Sequence, residues 1–96
     1  MELRAWDCVL TSPEGRTAIE FEMRLRDIQA LRRRIDLKRR DDLTSWFILL
    51  VADTRNNRRV LAEFAEMFAD LPRLRPTRVH AALIAGRHPG TGLVLV

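Results

Sequence analysis

The chain is short of several residue types on which a function could be built. It has one cysteine, Cys8, in 96 residues. That excludes an internal disulfide framework and any zinc site made from paired cysteines. Its two histidines, His80 and His88, have no further ligand beside them, so no metal-binding spacing arises. No apolar run nears the ~18 residues of a membrane-crossing helix. The opening Met-Glu-Leu-Arg-Ala-Trp-Asp lacks the apolar stretch of a secretory signal. A cytoplasmic setting with no membrane contact is therefore expected. Gly90-Thr91-Gly92 lacks the downstream Gly and Lys of a phosphate-binding loop. Ser12 and Ser45 have no His in a hydrolase-triad pattern. Lysine is almost missing: of 17 basic residues, 16 are Arg and only Lys38 is Lys. Either a GC-rich genome or selection for bidentate phosphate contacts gives that bias.

What is present describes one globular domain, residues 1–96. The composition is 47% hydrophobic and 31% charged, ordinary for a folded chain. A net charge of +4 permits a polyanionic partner without requiring one.

Residues 3–11 and 16–24 read as two strands around Ser12-Pro13-Glu14-Gly15, where Pro and Gly suit a tight turn. In the second, Ile19, Phe21 and Met23 point one way and Ala18, Glu20 and Glu22 the other. Residues 25–40 read as a helix with Leu25, Ile28, Leu31 and Ile35 as its apolar stripe. The apolar run 46–52 suits a strand buried on both faces. Asp53-Thr54 offers an N-cap to a helix over 55–70, with Val60, Leu61, Phe64, Phe68 and Leu71 inward, and Pro72 stops it. A short helix over 77–85 ends at Gly86, and 93–96 is a last strand. The order β-β-α-β-α-α-β implies an α/β domain with a small mixed sheet. So thin a core is compatible with a homodimer.

Counting outward from a Thr11–Arg16 pair, Asp7 falls opposite Glu20, and Glu22 shares Glu20's face. Opposed side chains have Cβ atoms ~4.5–5.5 Å apart, so these carboxylates need a shared cation, a proton or an arginine. The plainer reading makes Glu20 and Glu22 the solvated face of an edge strand, bridged to Arg4 or Arg24.

A strand with Asp in Ala5-Trp6-Asp7, a turn, a strand with Ile19-Glu20-Phe21-Glu22, then helix and strand, resembles the PD-(D/E)xK nuclease-like fold over residues 3–53. The resemblance implies a restriction-endonuclease-like sheet in which Asp7 and Glu20 hold Mg²⁺ or Mn²⁺. Glu22 occupies the position of the family's Lys, and the family's first helix and strand are missing. A helix running back along its strand would bring Lys38 level with Glu20, where it could replace that Lys. Asp7, Glu20, Glu22 and Lys38 are thus the candidate catalytic group. Over nearly the whole chain, Leu3-Arg4-Ala5-Trp6-Asp7, Arg24-Leu25-Arg26-Asp27-Ile28 and Leu50-Val51-Ala52-Asp53-Thr54-Arg55 are similar to the C-terminal domain of bacterial helix-turn-helix (XRE-type) transcriptional regulators.

Residues 24–40 hold eight basic residues against two acidic ones, a net of +6, while the remainder carries nine against eleven. Arg26, Arg33 and Arg40 lie one heptad apart, ~10 Å of rise per step, and could track a nucleic-acid backbone. No aromatic residue interleaves for base stacking. Asp53 to Arg59 follows the buried strand, where Arg55 and Arg58 could meet an anion; a simply capped helix is the alternative. Two functions follow. One is a DNA-associated accessory domain of a transcriptional regulator with a degenerate nuclease-like fold. The other is a Mg²⁺-dependent nuclease.

Overall fold

The computed structural model describes residues 6–96. Of the strand expected at 3–11, residues 3–5 lie outside the described residues, Trp6 and Asp7 are not in a strand, and the strand begins at Cys8. Strand β1 (Cys8–Ser12) turns through Pro13-Glu14 into β2 (Gly15–Glu22). Helix α1 (Ile28–Asp41) leads to β3 (Trp46–Val51). Helix α2 (Arg55–Glu63), a 3-10 turn (Ala65–Phe68) and helix α3 (Pro76–Ile84) lead to β4 (Gly92–Leu95). The sheet runs β1-β2-β3-β4. The first pair is antiparallel and the other two are parallel, so the described residues form an α/β unit with a four-stranded mixed sheet and three α-helices.

Local chemistry sets the element ends. Asp27 caps α1 by accepting from Ala30 N–H at 3.0 Å. Lys38, Arg39 and Arg40 fill its last turn, which suits the negative end of a helix dipole. Thr54 caps α2 through Asn57 N–H at 3.0 Å. Helix α2 is shorter than its pattern implies. At Phe64 the backbone leaves helical geometry and the ring turns outward, and the 3-10 turn brings Phe68 and Leu71 back into the core.

Both sheet faces carry apolar residues, and two helices cover one of them. Leu25 and the α1 residues Ile28, Leu31 and Ile35 meet Val60 and Leu61 of α2 over Ala18, Phe47, Leu49, Val51 and Leu93. Burial of each large apolar side chain contributes about 1.5–3 kcal/mol. On the other face, Val79 of α3 packs with Ile48 and Val94.

Strand β2 is turned inside out relative to its alternation. Its Ala18–Glu20 side lies under α1, with Glu20 only 3% exposed, while Phe21 is 41% and the following Met23 68% exposed. Nor is β2 an edge, since it bonds to both β1 and β3. The solvated-edge reading of Glu20 is therefore corrected: a charged residue is tolerated on the covered face because a cation descends onto it from α1.

Beyond β4, the stretch Pro72–Leu74 adds a short parallel contact. Leu93 N–H donates to Pro72 O and Leu74 N–H to Leu93 O, each at 2.9 Å. Gly92 makes that approach possible, because a Cβ there would lie 2.3 Å from Pro72 O. No helix among the described residues is long and apolar enough to cross a membrane.

Candidate functional site

Hairpin register, strand alternation and the return of α1 place the four candidate catalytic residues. The ladder pairs Cys8 with Ile19, so one further step sets Asp7 beside Glu20. Asp7 N–H donates to Glu20 Oε1 at 3.1 Å, and Asp7 Oδ2 accepts from Phe21 N–H at 2.9 Å. The residue preceding β1 is thereby clamped to β2. From above, Lys38 Nζ reaches Glu20 Oε1 at 2.9 Å, with its charge 5.8 Å from the centre of the Trp6 ring. Two residues on, Glu22 bonds Arg34 of the same helix.

The cluster therefore consists of two ion pairs between β2 and α1. Burial pushes the Glu22 carboxyl above its ordinary value. Arg34 opposes that shift, and the charges of Glu20 and Asp7 add to it. Among the described residues, no group of three or more His, Cys, Asp or Glu side chains is arranged to hold a metal ion. One oxygen of each carboxylate is already committed, Glu20 Oε1 to Lys38 and the Asp7 amide and Asp7 Oδ2 to the Phe21 amide, so a cation shared by the two would have to use their other oxygens.

The arginines expected to meet nucleic acid divide into two sets. Arg26 precedes α1 instead of lying in it, so the heptad row Arg26–Arg33–Arg40 is not one continuous helical row. The chain is still extended at the Asp27 cap, which moves the helix start past Arg26. Arg40 pairs with Asp41 at 3.1 Å. Arg58 forks onto Asp53, with its Nη2 2.9 Å from Oδ2, and that hydrogen bond holds the Asp53 carboxyl below its usual range. Arg26, Arg33 and Arg55 are exposed, with no ion pair among the described residues.

Sequence reasoning missed Asn57, a wholly buried polar residue. Its Oδ1 accepts from Leu25 N–H, and its Nδ2 donates to Met23 O and Ala52 O, all at 2.9 Å. It ties the loop before α1 and the end of β3 to the first turn of α2. The one available signal was Asn within a polar first turn, which reads equally well as solvated.

Compared with protein-family models, curated proteins and solved structures, the chain matches none.

Proposed function

We propose that the chain is a non-catalytic, nucleic-acid-associated accessory domain of a bacterial transcriptional regulator, with DNA as its partner. The observation that supports this reading is how the charges are shared out. Glu20 and Glu22 are taken up by Lys38 and Arg34, whereas Arg26, Arg33 and Arg55 face solvent without a carboxylate partner among the described residues. The acidic cluster then supports the fold, and the unspent positive charge is what a polyanion would meet. The resemblance of the sequence to regulator C-terminal domains points the same way.

The test is duplex DNA affinity as a function of salt, for the wild-type chain and an Arg26→Ala/Arg33→Ala/Arg55→Ala variant. Each lost phosphate contact lowers the slope of log K against log salt by about 0.9. A slope unchanged by the triple substitution removes the reading.

A second reading has one observation in its favour, the meeting of Asp7, Glu20 and Lys38. Under it, Asp7 and Glu20 would hold Mg²⁺ or Mn²⁺ in a metal-dependent PD-(D/E)xK-type nuclease. Metal-dependent cleavage of DNA that is lost in Asp7→Ala would establish it, and cleavage that survives the substitution would dismiss it.

A further inference from the structure

On the face of the sheet opposite α1, the side of α3 opens onto a groove of about 510 Å³. That volume lies within the ~300–1,000 Å³ usual for small-ligand sites. Arg73, Arg75, Arg78 and Arg87 line it, and Val79 and Ala82 contribute apolar wall. Arg75, Arg78, Ala82 and Ala85 recur at helical spacing, so the groove follows α3 for roughly 15 Å at 1.5 Å per residue.

None of the four arginines has a carboxylate at ion-pair distance among the described residues, in contrast to Arg16, Arg32, Arg34, Arg40, Arg58 and Arg59. Asp53, whose carboxyl the charge of Arg73 helps to keep ionised, is already forked by Arg58. The first turn of α3 holds no acidic residue, and Arg75 supplies no side-chain cap. The positive end of the helix dipole therefore adds to the arginine charge instead of being offset.

Like charges gathered around a concave surface with apolar walls focus a positive potential. A multiply charged anion relieves their repulsion. Guanidinium forks match phosphate oxygens in geometry, and one phosphate monoester brings a charge of about −1.5 to −2 near neutral pH. The short side chains of Ala81, Ala82 and Ala85 leave depth for an uncharged portion of the ligand. We propose that this groove binds a phosphate-bearing anion of nucleotide size. The inference does not rest on the reading of Arg26, Arg33 and Arg55 given above.

The experiment is calorimetric titration of the full chain with ATP, with inorganic pyrophosphate, with a short single-stranded oligonucleotide and with oligo-glutamate. An Arg75→Ala/Arg78→Ala variant is titrated in parallel. Both positions are exposed, so the fold is expected to persist, and circular dichroism checks it. ATP or pyrophosphate binding that weakens at least about tenfold in the variant supports the site and a free-nucleotide source. Binding of the oligonucleotide alone, with the same loss, supports the site and a nucleic-acid source. The proposal is overturned if no phosphate ligand binds, if the variant binds as the wild type does, or if oligo-glutamate binds as tightly as ATP. Oligonucleotide binding that is lost in Arg26→Ala/Arg33→Ala/Arg55→Ala and kept in Arg75→Ala/Arg78→Ala overturns this inference and leaves the earlier reading standing.

Discussion

Lys38 and Glu20 meet at 2.9 Å between α1 and the sheet, both largely shielded from water. Desolvation of two charges is costly, and their attraction offsets it only while both are present. Lys38→Met should leave Glu20 buried and uncompensated, lowering stability by about 3–5 kcal/mol. A Lys38→Met/Glu20→Leu double variant should recover much of that loss. Urea unfolding of the four chains in the cycle checks both, and additive single losses would contradict the coupling.

Asn57→Ala should be among the most damaging substitutions that change no charge. It strands Leu25 N–H and Met23 O and takes from Ala52 O one of its two donors, leaving Thr54 N–H, and each unsatisfied buried group costs about 1–3 kcal/mol. Thermal unfolding is the measurement. The expected loss of several kcal/mol contrasts with Asn56→Ala, whose side chain hydrogen-bonds only Arg59 among the described residues.

Glu22 gives a pH signature. Its folded pKa lies above the ordinary 4.5, so the native state holds this proton more tightly than the unfolded chain does. The stability contributed by that proton is full below the unfolded value and is lost as pH rises through the folded one. Glu22→Gln should therefore gain on the wild type as pH rises from below the ordinary carboxylate range through the raised folded value. Parallel stability curves for the two chains would contradict the assignment.

Gly92→Ala should destabilise by about 1–3 kcal/mol, the usual cost of overpacking. The added methyl would press on Pro72 O, a backbone atom fixed by its bond to Leu93 N–H. Gly86→Ala meets no such wall, and its cost arises from the positive φ of +71° alone.

Much of the architecture was legible where one local signal decided it. The Pro-Glu-Gly turn set the hairpin register, and Ile28, Leu31 and Ile35 set the buried stripe of α1, with Leu25 just before the helix joining them in the core. The faces of β2 were not legible. Alternation says that Glu20 and Phe21 point to opposite sides. Which side is covered depends on where α1 lands, a long-range fact. Among site residues, the placement of Lys38 near Glu20 could be worked out from helix rise, because a crossover helix retraces its strand. Asn57 and the arginines flanking α3 could not be singled out. Their partners, or lack of them, come from segments distant in the chain.

The inverted faces of β2 also bear on how the chain proofreads its own alignment. A slip of one residue exchanges the two sides of a strand. Here such a slip would carry Ile19 or Phe21 beneath α1 and expel Glu20, an exchange that hydrophobic burial alone would favour. It would also abandon the Lys38 ammonium over the Trp6 ring with no counter-charge from β2. That penalty of several kcal/mol rejects a misaligned sheet that greasy contacts would accept.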